Sequence, residues 1–415
     1  MSLKAKIAVV QFLQFFVWGA WMMTIGTWWF ETKHWSGTQF GAVFSTIGIA
    51  SLFMPAIAGI LADRFINAEK LYGICHLCGA AVLFYIPHLS TPNGIFWAML
   101  INMGFYMATY TLSLAISYAP MKTAGMNIIK EFPPIRVLGT VGFIAAMWTV
   151  SLLHLETSDW MFYIAGIAAI LLGLYGLTMP KCPPLGKNTG SIVSAMGLDA
   201  FGLLKNYNMA LFFIFSMLLG AALQLTNAYG NVFLHSFSDA YQTYIAVKYP
   251  AIILSISQIS EVCFIFAIPF FFNRFGIKKV MMISMIAWIF RFGLFGFGNP
   301  AGGLWMIILS CIIYGMAFDF FNISGSLYVE TQVSSSIRAS AQGLFVFMTN
   351  GIGSFLGSTI SGWAIDKFFT NSNSTIIWQG MNGVWISFAA YATIVSILFA
   401  IMFKYKSSIN TKSHN

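Results

Sequence analysis

The chain has 415 residues, of which 58% are hydrophobic and only 8% charged, with a net charge of +9. Mean hydropathy is +0.79, more apolar surface than a water-soluble fold of this size can hide, so a soluble enzyme or binding module is excluded. The excess of Lys and Arg reads as membrane topology rather than nucleic-acid binding.

Apolar runs of about 20 residues, each enough to cross a hydrocarbon core, recur along the chain. They lie at 7–30, 38–62, 70–89, 94–119, 134–154, 159–179, 208–234, 248–273, 279–298, 303–327, 338–365 and 382–404. This predicts an all-α polytopic membrane protein: about twelve transmembrane helices in two six-helix bundles, 1–180 and 208–415. Between them, 181–207 reads as a cytoplasmic linker with KCPPLGKNTG and an amphipathic stretch, SIVSAMGLDAFGLLKN. The first run lacks an Ala-x-Ala cleavage pattern and is too long for a signal peptide, so it reads as a retained span.

A short loop follows the second span of each half, GILADRFINAEK (Gly59 to Lys70) and FFNRFGIKKV (Phe271 to Val280), with Pro55 and Pro269 preceding them. Such repetition is expected of carriers built from repeated halves. With the N-terminus inside, about 16 of the 21 basic residues fall on the inner side, Lys187, Lys406 and Lys412 among them. Lys33, Lys248 and Lys367 fall outside, which places both termini in the cytoplasm. Arg291, near the outer end of its span, is expected to snorkel to the interface. Arg136 opens the fifth span in FPPIRVLGT and is available as a partner for buried acids.

Two carboxylates interrupt the apolar runs, Glu261 in LSISQISEVCFIFAIPF and Asp319 in SCIIYGMAFDFFNISGS. An ionisable group inside a span is costly and usually faces a polar pathway, which points to a carrier. Helical spacing gathers further polar residues into stripes: Arg136, Thr140 and Phe143; Gln224, Asn227 and Asn231; Ser257, Gln258 and Glu261; Tyr314, Phe318, Asp319 and Asn322. Lipid offers them no hydrogen-bond partners, so they should point inward. Asn231 and Asn322 taken singly are explained equally well as glue between helices. Acids, amides and aromatics together suit a polyhydroxylated ligand with a flat ring, stacked on Phe143 or Phe318. Gln11, Gln14, Trp18, Asn102, Tyr106 and Tyr110 are placed on the opposite wall. A sugar or glycoside permease, a multidrug exporter and a receptor without flux are the competing classes.

The pattern Gly59-x-Leu61-x-Asp63-Arg64 after the second span resembles the major facilitator superfamily. The stretches FLQFFVWGAW, EFPPIRVLGTVGF, FFIFSMLLGAALQLTN, SISQISE, FGIKKVMMIS, YGMAFDFFNISGS, IRASAQG and MFKYK resemble its nucleoside:proton symporters, and they run from the first span to the last. The resemblance implies a major facilitator fold and import of nucleosides, purine or pyrimidine, with protons. It further implies a monomer in the inner membrane and no enzyme activity or cofactor. It assigns nucleoside recognition or coupling to Arg136, Thr140, Phe143, Gln224, Asn227, Gln258, Glu261, Tyr314, Phe318 and Asp319. Asp319 or Glu261 is expected to carry the proton, with Arg136 as counter-charge, and Gly59, Asp63 and Arg64 to form the conformational loop motif.

Other features call for no ligand. Cys75, His76 and Cys78 read as packing rather than a metal site. Gly353 and Gly357 read as a close helix crossing. His34, His88, His154 and His235 are expected to be solvated. No Walker loop, zinc motif or Ser-His-Asp pattern supports ATP-driven transport or hydrolysis.

Overall fold

The computed structural model describes residues 1–184, 198–334, 337–369 and 381–404. Residues 185–197, which hold Lys187 and the first seven residues of the expected amphipathic stretch, and the tail carrying Lys406 and Lys412 lie outside the described residues. Of that linker, Leu198–Lys205 forms a short tight helix.

The described residues form helices and no strand, as an apolar medium requires of backbone that must satisfy its own hydrogen bonds. The main helices are α1 (Leu3–Gly19), α2 (Gly37–Arg64), α3 (Ala68–Tyr85), α4 (Pro92–Thr123), α5 (Ile128–Leu152) and α6 (Trp160–Gly176). After the linker come α7 (Tyr207–His235), then Pro250–Phe297, α10 (Leu304–Gln332), α11 (Ser340–Phe368) and α12 (Met381–Met402). Among the described residues nine helices are long and apolar enough to cross a membrane. Local sequence starts them: Ser2 caps α1 by accepting from Ala5 N–H, and Ser36 with Gln39 forms a capping box on α2.

Pro250–Phe297 spans 48 residues, which as one rod would run about 72 Å and overshoot a bilayer. It is broken at Gly276, whose φ of 72° and ψ of 168° are not helical, into 250–275 (α8) and 277–297 (α9). Neighbours on α10 show the reversal. Along α8, Ser260 meets Ile312 and Phe264 meets Phe320, so the two helices run parallel. Along α9, Ser284 meets Ala317, Trp288 meets Tyr314 and Arg291 meets Ser310, so these run antiparallel. The two apolar runs expected here are therefore joined by a single residue. A Cβ at Gly276 would meet nothing within 4 Å, so the demand for glycine is conformational rather than steric. Gly276→Ala should cost about 1–3 kcal/mol, read as a lower melting temperature in detergent.

Contacts between the parts before and after the linker gather at the end of the bundle away from the N-terminus. There Thr27 Oγ1 donates to Asn231 Oδ1 at 2.5 Å, and His235 Nδ1 lies 2.7 Å from the Glu31 carboxylate. Asp366 accepts from the Gly37 and Thr38 amides at 2.6 and 2.7 Å, an anion on the positive end of α2. Trp148 Nε1 donates to Ser255 at 2.9 Å. Beside these bonds α2 and α11 approach without side chains between them. A Cβ on Gly41 would overlap the Ser358 carbonyl, and one on Gly362 would overlap that of Gly37. The glycine crossing expected at Gly353 and Gly357 is present: their Cβ atoms would fall 2.5 Å from Met217 O and 2.6 Å from Ala221 Cα of α7.

Two sequence expectations are corrected. His235 is not solvated: its side chain is 21% exposed and paired with Glu31, because the close of α7 folds over the Glu31 turn. Arg291 does not snorkel: it is 1% exposed, covered by Phe295, Tyr314 and Ser310, because its face of α9 turns toward α10.

Candidate functional site

Helix α8 presents Ile259, Phe266 and Phe270 outward, 47%, 75% and 62% exposed, as a lipid-facing stripe. At about 100° per residue, Glu261 falls on the opposite side of this helix, toward the bundle. Ser257 and Gln258 accompany it, Ser257 buried with its hydroxyl unpartnered. On α10, Asp319 is 4% exposed and its Oδ2 has no hydrogen-bond partner.

The two acids are brought together by a backbone contact. Gly315 lies directly against α8, where a Cβ would sit 2.6 Å from Ser260 O and 2.7 Å from Glu261 N. Ser260 Oγ donates to the Ile312 carbonyl across the same crossing. Glu261 and Asp319 consequently lie within electrostatic range of each other, and Glu261 also within range of Arg136. Tyr314 is buried beside them, and its ring stacks on Phe318 at 6.0 Å and 10°.

Arg136 arrives from the other part of the chain. Its guanidinium lies 4.1 Å from the centre of the Phe15 ring, a cation–π contact that holds it at the α1–α5 crossing. That crossing is tight: Gly139 packs on Phe15, Gly142 on the backbone of Phe12, and Gly19 on that of Phe143. Thr140 is half-buried and Phe143 is 8% exposed. Arg136 and Glu261 therefore set opposite charges across the division between the two parts.

The α7 stripe does not act as one surface. Gln224 Nε2 donates to Ser354 at 2.7 Å while its Oε1 is unpartnered, and Asn231 is engaged with Thr27. Asn231 thus ties two helices through its Oδ1 but leaves its Nδ2 unpartnered, as Gln224 leaves its Oε1, so each keeps one polar atom for another partner, while Asn227 is 8% exposed. Phe318 and Asn322 line a cavity of about 30 Å³ with Leu223, Trp288 and Asn350. That volume suits one water rather than a ligand. Trp288 and Asn350 carried no sequence signal beyond their residue type.

The opposite wall divides in two. Gln14 is bound into a buried network: Tyr72 OH donates to its Oε1 at 2.7 Å, His76 Nε2 lies 2.9 Å away, and its Nε2 donates to Thr109 at 3.0 Å. Tyr106 OH donates to the Gln14 carbonyl and Asn102 Nδ2 to that of Gly79. These residues bind helices α1, α3 and α4 together. Gln11 Oε1 and Trp18 Nε1 are unpartnered, and Tyr110 is 40% exposed. No group of three metal-binding side chains occurs among the described residues, and Cys75 and Cys78 sit within the α3 packing.

At the end of α2, Gly59 has open space around it, Asp63 is half-buried and Arg64 exposed. The residue that fastens this loop is one the sequence did not single out. Glu69, 2% exposed, accepts from Asn67 Nδ2 at 3.0 Å and from the Cys182 amide at 2.8 Å, while Ala68 N–H donates to Cys182 O. At the far end Glu156 accepts from Ser151 at 2.7 Å; burial pushes its carboxyl above the usual carboxylate range and the Ser151 bond partly offsets this.

A model of the nucleoside H+ symporter family matches residues 1–408. The xanthosine permease of Escherichia coli (strain K12) is 50% identical over 409 residues, 98% of this chain and 97% of that protein. Nucleoside permease NupG of the same organism is 48% identical over 410 residues, 98% and 97% of the two chains. A crystal structure of nucleoside transporter NupG superposes with a TM-score of 0.91, covering 98% of this chain and 100% of that one. These relatives are permeases rather than enzymes, and the fold is theirs: a polytopic bundle of the major facilitator type. The chain belongs to the nucleoside H+ symporter family.

Proposed function

We propose that this protein imports nucleosides together with protons by alternating access. Twelve spans form two six-helix bundles, 1–180 and 208–415, around a central site in the cytoplasmic membrane, with both termini inside. The observation that carries this reading is the charge constellation itself: Glu261 and Asp319 joined at the Gly315 crossing and faced by Arg136 from the other bundle. A buried acid pair set against a cation can gain and lose a proton as its surroundings alternate between water and protein.

Arg136, Thr140, Phe143, Gln224, Asn227, Gln258, Glu261, Tyr314, Phe318 and Asp319 form the substrate site in this reading. Amides and acids bond the ribose and the base edge, and an aromatic face takes the base. The names of the relatives support the substrate class. With the termini cytoplasmic, the end at which Thr27, Glu31 and Gly37 bond to the other part is the outer one in this reading. Gly59, Asp63 and Arg64 then act at the inner loops, and the molecule works as a monomer.

The test is uptake of a labelled nucleoside panel into transport-deficient cells with and without a protonophore, in competition with lactose-like sugars. Nucleosides should compete, sugars should not, and the protonophore should abolish accumulation. Sugar competition with nucleoside silence makes the protein a sugar permease instead. Within this assay Phe318→Ala should raise the uridine KM roughly 3- to 10-fold through loss of ring stacking.

A further inference from the structure

Glu156 is a buried acid outside the transport site. It lies between α5 and α6 at the far end of the bundle and is 4% exposed. Both of its bonds among the described residues fall on Oε1: Ser151 Oγ donates at 2.7 Å and the Ala251 amide at 3.4 Å. Ala251 lies in the first turn of α8, so an acid of the first part docks on a helix start of the second. Asp366 does the reverse, accepting at 2.6 and 2.7 Å from the Gly37 and Thr38 amides in the first turn of α2. The two contacts are counterparts, since each acid stands at the close of the fifth helix of one part and meets the second helix of the other. They are not equally well held. Asp366 is half-buried with two short amide bonds, whereas Glu156 is almost fully buried with one hydroxyl and one long amide bond. A carboxylate so placed loses hydration that its neighbours do not replace, which favours the protonated form.

A cavity of about 310 Å³ opens beside Glu156 between the two parts, with His154, His235, Gln242 and Lys248 in its wall. His154, Gln242 and Lys248 are exposed, so water reaches the carboxyl. Each neighbouring element brings a charged or titratable group. On its own loop His154 stacks on Tyr249 across the division, at 5.3 Å and 25°. From α7 comes His235, 2.7 Å from the Glu31 carboxylate. Before α8 stands Lys248, 5.2 Å from the centre of the Tyr249 ring. At the start of α6 Asp159 is taken up by the Trp28 indole at 2.7 Å and by Lys33 at 3.9 Å. Burial raises the Glu156 carboxyl, and it outweighs the Ser151 bond and the two imidazoles, which favour the ionised acid.

We propose that Glu156 is a proton-binding site of the far end, separate from the Glu261–Asp319 pair, and that bringing the two parts together here requires it to take up a proton from the cavity. On closing, a carboxylate oxygen forms an O–H bond with a proton given up by hydronium, which is left as water. On opening, that bond breaks, its electron pair stays on the oxygen, and the proton returns to the same side. This proton does not cross the membrane; it sets the pH at which the end closes. The enclosed carboxyl holds its proton more tightly than the solvated one, so the closed contact is fully supported in acid and lost as pH rises through the enclosed value. The inference rests on the symporter reading for which face this end meets, the outer one.

The test measures the distance between spin labels at Ser90→Cys and Gly302→Cys, exposed positions in far-end loops of the first and second parts, in detergent and without the five native cysteines. In the parent the longer-distance population should grow roughly tenfold between about pH 5.5 and 8.5. Glu156→Gln, uncharged at every pH, should hold it at the acid level throughout. Ser151→Ala removes a donor to the carboxylate and should move the parent midpoint up by about half to one pH unit, and it carries the test if the Gln variant does not fold. A Glu156→Gln protein that titrates like the parent assigns the response to the His235–Glu31 pair and overturns the proposal. Distances in the parent that ignore pH, or a longer population that grows in acid, overturn it as well. Absence of proton-driven nucleoside accumulation in wild-type proteoliposomes overturns the symporter reading instead, and the distances then judge the proton site on their own.

Discussion

Asp319→Asn and Glu261→Gln proteins should still exchange labelled uridine across a membrane yet fail to concentrate it against a gradient. In the wild type each pH unit is worth about 1.4 kcal/mol per proton, enough for roughly tenfold accumulation. The variants should come to equal concentrations on both sides. The amides keep the shape of the acids and stand in for their protonated form, while the titrating proton and the negative charge are gone, so the loss expected is one of coupling more than of exchange. Asp319 should show the stronger loss, being 4% exposed with an unpartnered oxygen, whereas Glu261 is half-buried and has Arg136 to steady it. The measurement is accumulation at an imposed pH gradient beside counterflow in the same vesicles. If both variants still concentrate uridine, the coupling proton travels elsewhere.

A comparable loss should come from a residue that touches no substrate. At Gly41 the α2 backbone rests on the Ser358 carbonyl of α11, and a valine there has nowhere to go. Overpacking of this kind costs about 1–3 kcal/mol, and only the closed arrangement of this end bears it. About 2 kcal/mol moves a two-state equilibrium roughly 30-fold, so Gly41→Val should populate the arrangement with this end open and slow uptake by a similar factor. A membrane-impermeant maleimide reads the shift. Thiol labelling at Thr27→Cys, shielded beside Asn231 in the parent, should become fast when Gly41→Val is added. Slow labelling in both backgrounds would mean that the seam tolerates the extra bulk.

The sequence alone revealed the helical, membrane-spanning character of the chain, with nine helices among the described residues long and apolar enough to cross a membrane, because long apolar runs admit one backbone solution in lipid. It also revealed the acids, because a carboxylate among Phe and Ile stands out. Gly353 and Gly357 were legible through their spacing. What it did not reveal was the rotation of each helix about its axis. In a span both faces are apolar, so the polar-to-apolar alternation that orients a helix in water is absent. Arg291 illustrates this: its depth near a span end suggested the interface, and only the packing of α9 on α10 turns it inward. His235 and Glu31, 204 positions apart, could not be matched from pattern. The Gln14 network looked like a binding wall because buried amides, whether tied to neighbours or open to a ligand, look the same as letters. Glu69 lay beside a recognisable motif yet holds the loop through a backbone partner, Cys182, which no side-chain pattern encodes.

The one-residue joint at Gly276 leaves the hairpin of α8 and α9 without slack. A tilt of the limb bearing Glu261 must drag along the limb bearing Arg291, and serine hydroxyls clasp both to α10. Both limbs thereby swing as a single lever, and their spacing is preserved while the surroundings of the acids change from wet to dry.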